Sequence, residues 1–592
     1  MQTHLARFLA LAGKADYAEL HAWSVAEGEA FWALLRRYAE LPDGEFNFAE
    51  VLLRGCGAGP ALLYRDESGA EEQWSGEDLK RAVACYAQLL RGHGIIAGDR
   101  VVGLLPNRPE TVALMLAVAS VGAVWSSCSP DFGASGIIDR FAQLKPRLLF
   151  TTAWYEFGGK RFELAERIEE VVRAVPWIEA THFIEGIGVG GDAELRFERL
   201  SPKHALFILF SSGTTGLPKC IVHSSGGTLV QLVKEHLLHV DVQPGERLFY
   251  YTTCGWMMWN WLAVGLASRA VLVLYHGSPM WPDAGVLWRM VERDGVAHFG
   301  TSAKYLALLE KSGYKPREHH NLSALRQVLS TGSPLLAESF DFVWRDVMPD
   351  VHLASISGGT DIVSCFVLGN PLGVVKRGEI QVAGLGMDVQ IWNEQGRRVW
   401  DEAGELVCVN PFPSMPLGFW NDTDGAKFKE AYFARFEGVW CHGDWAMQSS
   451  ETGGFVIYGR SDTTLNPGGI RIGTAEIYRQ VEAVEELEEA VAIGQEWKGD
   501  VRIVLFVKMR GGFAMDEAVR EKIRGRLKRE ASPHHVPKKI LEVGAIPRTV
   551  SGKISEAAVR DAVHGRVSKN LNALANPESI KEFTGRGELL QD

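Results

Sequence analysis

The sequence predicts an α/β protein in two parts: a large N-terminal body of mixed sheets and helices, and a smaller α+β C-terminal domain. Three observations predict it. Beyond about Phe48, apolar β-rich runs at Val101 to Leu105, Leu148 to Thr151, Ala205 to Phe210 and Ala270 to Tyr275 alternate with stretches of helical periodicity, the pattern of βα units. Glycine turn signals crowd between Gly443 and Gly473, after which a shorter αβ pattern resumes at Ala475 to Val484, Ala490 to Ile493 and Val501 to Lys508. A chain of 592 residues also exceeds one ordinary core, since domains run to roughly 100 to 200 residues. The expected division is 1–460, with an N-terminal cap over about 1–75, and 461–592.

Taken in order, Leu20 to Leu41 mixes Trp, Phe and Leu with charges at helical spacing and predicts an amphipathic helix laid on the larger body. The longest apolar run, Thr111 to Trp125, has 15 residues. That is short of the roughly 20 that span a bilayer, so it is expected as a buried helix running into a strand. Ser568 to Asp592 lacks long periodicity and predicts loop and short helix, and no repeat of the solenoid kind is visible.

Composition narrows the function classes. With 46% hydrophobic and 23% charged residues the chain is neither disordered nor fibrous. A net charge of -11 offers no basic footprint for nucleic acid or for an anionic membrane. The eight cysteines are scattered, without a CxxC pair, and the N-terminal stretch has no small-residue cleavage site; the expected home is the cytoplasm. Small molecules are the expected partners, with a homo-oligomer left open.

The strand-like HALFILF leads into Ser211-Ser212-Gly213-Thr214-Thr215-Gly216-Leu217-Pro218-Lys219, and a helical pattern resumes within a dozen residues. Glycine-freed amides, four hydroxyls and one ammonium are what a triphosphate requires, because its charge must be met by converging donors without crowding. The glycine separation, and Cys220 rather than Ser or Thr after Lys219, exclude a Walker A loop.

Further along stand Ser357-Gly358-Gly359-Thr360-Asp361, His442-Gly443-Asp444, Gly459-Arg460-Ser461-Asp462, Gly468 to Gly473, and Pro547-Arg548-Thr549-Val550-Ser551-Gly552-Lys553. In content and order these motifs resemble the adenylate-forming superfamily of acyl-CoA synthetases, luciferases and peptide-synthetase adenylation domains. The resemblance implies ATP, Mg2+ and coenzyme A as cofactors. It makes Lys553 the catalytic donor between the acid and the α-phosphate, Thr360 a phosphate ligand, and Asp361 the metal ligand where the family usually has Glu. It assigns ribose to Asp444, ribose or phosphate to Arg460, and the border of adenine to Gly332-Ser333-Pro334. Asp462 becomes the hinge about which a mobile C-terminal domain turns between the two half-reactions.

Gly468, Gly469 and Gly473 are expected along a pantetheine approach, with Asn466 and Arg471 matching acyl-CoA synthetase positions and Lys528 and Arg529 as candidates for the CoA 3′-phosphate. By resemblance Trp256, in TTCGWMMWN, walls the acyl pocket. Acetate-specific relatives carry a bulky Trp where this chain has Gly358, next to Gly359, so the implied acid is longer than acetate. The strings STGSPL, SISGGTDI, TTCGWMMWNW and FGTSAKYL resemble the branch that takes acetoacetate. Propionate, butyrate, another oxo acid, or loading of a carrier protein are the alternatives.

Overall fold

The computed structural model describes residues 2–188, 193–211, 217–465, 467, 472–498, 500–549, 552–566, 568, 571 and 574–591, with Asp462 and Asp500 as backbone only. Two seven-stranded sheets carry the N-terminal body. The first runs His352–Ser355, Gln327–Thr331, Val296–Ser302, Arg247–Tyr250, Val271–His276, Pro60–Asp66, Glu71–Ser75, parallel except for its last pair. The second runs Gly418–Phe419, Lys219–Ser224, Ala205–Ser211, Val124–Cys128, Arg100–Leu104, Leu148–Thr151, Ala180–Phe183, antiparallel only over its first three strands.

The apolar run is the expected helix and strand: Pro109–Ser120 is buried at every residue but Glu110, in its first turn, and Val124–Cys128 follows it. A helix apolar on all sides has no face for water and settles in the core. Among the described residues no helix is long and apolar enough to cross a membrane.

The helices His4–Ala12, Tyr17–Ala26 and Gly28–Tyr38 form the cap, with two departures from expectation. The helix over 20–41 is two helices, broken at Glu27, whose φ of -121° and ψ of 52° are not helical. The cap also ends well before residue 75, because Pro60–Asp66 and Glu71–Ser75 are strands of the first sheet; Ala61 to Tyr64 are all buried there beside Val271–His276.

A four-stranded antiparallel sheet follows (Val389–Trp392, Ala403–Cys408, Trp440–Gln448, Phe455–Arg460), and a short 3-10 turn, Ser461–Thr463, leaves it. Beyond lies a three-stranded sheet of Leu487–Trp497, Asp500–Met509 and Lys539–Glu542. Alternation along its first strand serves two faces: Ala490 and Ala492 pack with Ile477 and Ile523, while Val491 and Ile493 pack with Val559 and Phe583. The tail contains the short turns Pro577–Phe583 and Gly587–Leu590.

Candidate active site

Ser211 and Lys219 face each other in antiparallel register, so the phosphate loop closes a β hairpin. The helix Ser225–Lys234 begins only after the second strand, its N-terminus capped by Ser224 Oγ accepting from the Gly227 amide at 3.2 Å. This is the helical pattern that the sequence placed within a dozen residues of the loop, with the strand Lys219–Ser224 between them. Ser212, Gly213, Thr214, Thr215 and Gly216 lie outside the described residues. Lys219 Nζ stands 5.1 Å from the ring centre of Tyr432 and 5.7 Å from that of Phe419.

Thr360 and Asp361 form the turn after the short strand Ser357–Gly359, closed by the Ile362 amide donating to Gly359 O at 3.1 Å. The Tyr432 hydroxyl donates to Asp361 Oδ1. Burial opposes ionisation of Asp361, but His442, Lys219, the Tyr432 hydrogen bond and Arg460 outweigh it and hold the carboxyl below its ordinary range. His223, buried on the strand after the loop, is pushed down to about 4 by burial, with the Asp361 charge opposing, and is a neutral ring.

Gly358 has a reason the sequence did not disclose. A Cβ there would lie 2.1 Å from Ser364 O and 2.5 Å from Cys365 Cα, because the facing strand Ser364–Leu368 crosses directly over it. The expectation that this glycine opens the acyl pocket by omitting an indole is corrected: its missing side chain would point into backbone. At Gly359 a Cβ would meet His442 Cε1 at 2.9 Å and Asp361 Oδ2 at 3.2 Å, which turns this glycine toward the carboxylate.

Asp444 and Arg460 are cross-strand partners. Arg460 Nη1 donates to His442 O at 2.9 Å and to Asp444 Oδ1 at 3.0 Å. Gly443 has φ of 79°, a left-handed backbone that suits glycine, and the Arg460 guanidinium lies against it, with Nη2 2.8 Å from where a Cβ would stand. His442 Nε2 is 3.7 Å from Asp444 Oδ2; burial lowers the pKa of the ring, with the Asp444 charge opposing.

Lys553 follows a turn in which the Gly552 amide donates to Thr549 O at 2.7 Å and the Thr549 amide to Lys553 O at 2.8 Å. Gly552 has φ of 81°, a left-handed backbone that suits glycine. Desolvation lowers the Lys553 pKa, Asp444 and Asp361 oppose, and Arg460 adds to the lowering. The ammonium thus lies within electrostatic reach of both carboxylates. Its side chain is accessible to solvent yet enclosed by protein on many sides, as expected for a group standing in a cleft.

Gly332, Ser333 and Pro334 follow the C-terminal end of Gln327–Thr331, the edge of a parallel sheet where ligands gather. A Cβ on Gly332, whose φ is 93°, would stand 3.7 Å from the Trp256 indole, so Trp256 and this segment are neighbours. Trp256 is braced edge-on by Tyr250 at 5.9 Å.

Asp462 lies in the turn Ser461–Thr463, and its neighbour is anchored: Ser461 Oγ donates at 2.6 Å to Glu405 Oε2, a fully buried carboxylate also paired with Arg435 at 2.6 Å. Asn466, Gly468, Gly469 and Arg471 lie outside the described residues. Lys528 and Arg529 occupy the last turn of the helix Glu517–Glu530, and Arg529 pairs with Glu530 at 2.7 Å. No contact joins either to Asp361, Asp444 or Lys553 among the described residues.

Sequence reasoning missed Tyr432, Glu405 and Lys304. Lys304, on the helix Ala303–Lys311, lies 3.8 Å by its Cδ from where a Cβ on Gly552 would stand. Burial and then the Arg548 charge push it down to about 8. Lys311 Nζ, on the same helix, donates to Glu488 O at 2.9 Å across to the C-terminal sheet. Only the presence of Lys304 in the string FGTSAKYL hinted at a role.

The AMP-binding enzyme family matches residues 54–420, and the AMP-binding enzyme C-terminal domain matches residues 476–553. The chain is 52% identical to acetoacetyl-coenzyme A synthetase of Rhizobium meliloti (strain 1021), covering 97% of this chain and 94% of the relative. It is 42% identical to acetoacetyl-CoA synthetase of Gallus gallus, over 99% and 96%. The solved structure of acetoacetyl-CoA synthetase from Streptomyces lividans superposes with a TM-score of 0.93 at 39% identity, covering 98% of this chain and 97% of that one.

Proposed function

The chain belongs to the AMP-binding enzymes, among the acetoacetyl-CoA synthetases, and from that premise we propose how its residues join acetoacetate to coenzyme A. The reaction is an AMP-forming acid–thiol ligation that uses ATP, CoA and Mg2+ and passes through an acetoacetyl-adenylate. The observation that carries the assignment of roles is the approach of Lys553, from the C-terminal part, to Asp444 and Asp361 of the N-terminal body.

In the first step the acid's carboxylate attacks the α-phosphate and pyrophosphate leaves. Two anions meet, so the barrier is lowered by cations and donors placed where negative charge accumulates. Lys553 brings its ammonium to that point, Lys219 and the hydroxyls of 211–215 take the outer phosphates, and Thr360 donates to a phosphate oxygen. Asp444 receives a ribose hydroxyl on Oδ2, since Arg460 holds Oδ1. Asp361 fits a hard divalent cation: it is ionised, and only Oδ1 is taken by Tyr432. Mg2+ bound there supplies charge neutralisation to the phosphate oxygens.

In the second step the thiol must approach the carbonyl that Lys553 guards. The C-terminal part turns about Asp462 and carries Lys553 away, while Glu405 keeps Ser461 fixed on the stationary side. Gly468 and Gly469 then border the pantetheine, with Arg471, Lys528 and Arg529 as candidates for its phosphates. The eight cysteines are free thiols, which suits a reducing compartment, and the cytoplasm is the proposed location.

AMP release measured over acetate, propionate, butyrate and acetoacetate in the presence of CoA tests the acid. The expected result is a preference for acetoacetate; a clear preference for acetate rejects it.

A further inference from the structure

Tyr432 is the only buried residue of the helix Ala426–Phe433. Its ring stacks on Trp440 with centroids 3.9 Å apart and planes 12° from parallel, and Trp440 is itself fully buried. Phe419 and Phe428 close on its edges at 5.8 Å and 5.2 Å. The ring therefore has one orientation. One face is covered by Trp440, and Lys219 Nζ stands over the ring at 5.1 Å. The hydroxyl donates to Asp361 Oδ1. A single locked side chain thus touches both the phosphate-loop lysine and the carboxylate read as the metal ligand.

The opposite charges of Lys219 and Asp361 would otherwise satisfy each other. Lys219 lies close enough to Asp361 to favour its ionised form, yet no ion pair joins them among the described residues. An ammonium locked onto a carboxylate would offer neither a cation to phosphate nor an anion to metal. The π face of Tyr432 gives Lys219 a weaker partner that a phosphate readily displaces. The hydroxyl occupies one oxygen of Asp361 and leaves Oδ2 oriented. Asp is a methylene shorter than Glu, so its remaining oxygen has less reach to correct a wrong orientation.

We propose that Tyr432 is a positioning residue of the adenylation site, holding Asp361 and Lys219 apart and each in its working direction before metal and ATP arrive. The proposal rests on the reading of Asp361 as the metal ligand.

The test uses the full-length enzyme and Mn2+ with a non-hydrolysable ATP analogue, reading metal affinity by electron paramagnetic resonance. Tyr432→Phe keeps the stack and the cation–π contact and removes only the hydroxyl. The expected result is about tenfold weaker Mn2+ in the ternary complex, the loss of one hydrogen bond to a charged group. Analogue affinity in EDTA and thioester formation from supplied acetoacetyl-adenylate stay unchanged. Tyr432→Leu should weaken analogue binding in EDTA as well, because the ring is gone. If the hydroxyl acts through Asp361, Asp361→Asn combined with Tyr432→Phe weakens Mn2+ no more than Asp361→Asn alone. Unchanged Mn2+ affinity in Tyr432→Phe, additive losses in the double variant, or losses matched by a fall in Tm and in the thioester step would overturn the proposal. Unchanged Mn2+ affinity in Asp361→Asn would show instead that the metal-ligand reading is what failed, and the proposal falls with it.

Discussion

Arg460 Nη1 lies 3.0 Å from Asp444 Oδ1 and, by the same nitrogen, 2.9 Å from the His442 carbonyl. The carboxylate assigned to the ribose therefore has one oxygen committed to a guanidinium, and Arg460 sets the direction of the other.

Arg460→Ala is expected to raise the KM for ATP by about tenfold, since a charge-assisted bond that orients the ribose acceptor is lost. Its effect on stability should be small, because the Arg460 side chain is 52% exposed and such pairs contribute roughly 1 kcal/mol or less. Steady-state kinetics with a thermal melt separates the two. A large fall in Tm with unchanged KM would refute the ribose role.

Lys553→Ala should cripple adenylation by about a thousandfold. A cation about 4 Å from growing negative charge in an intermediate dielectric is worth up to about 4 kcal/mol. Thioester formation from supplied acetoacetyl-adenylate should be far less affected. Pyrophosphate exchange and single-turnover thioesterification measure the two steps, and equal losses would contradict a rotating C-terminal part.

Gly358→Trp is expected not to create an acetate-specific enzyme but to damage the fold. The new Cβ would meet Ser364 O at 2.1 Å, and backbone on a paired strand cannot step aside. Overpacking of this kind costs about 3 kcal/mol or more. Urea unfolding and soluble yield report it. A stable variant with acetate preference would restore the reading of this glycine as a vacated pocket wall.

Burial and then the Arg548 charge push Lys304 down to about 8 in the folded chain, from an ordinary 10.5. Between those values the unfolded chain holds a proton that the native one does not. Stability from this group therefore rises as pH goes from about 8 toward 10.5 and is flat below that window. Lys304→Met should abolish that rise. Denaturant unfolding at the two ends of the window checks it, and an unaltered pH dependence would discount the group.

Sequence alone determined the alternation of strands and helices, the order of the motifs and the residue types a nucleotide site requires. These are local properties: periodicity follows from which face is buried, and left-handed turns such as that at Gly552 demand glycine wherever the chain lies. Tertiary structure decided which side chains meet. Tyr432 reaches Asp361 across 71 positions of sequence, and Glu405 reaches Ser461 across 56. The glycine of 358 faces a strand and not a pocket. Such facts depend on how separate elements are stacked and which way a Cβ points between them, and no short string of residues contains that direction.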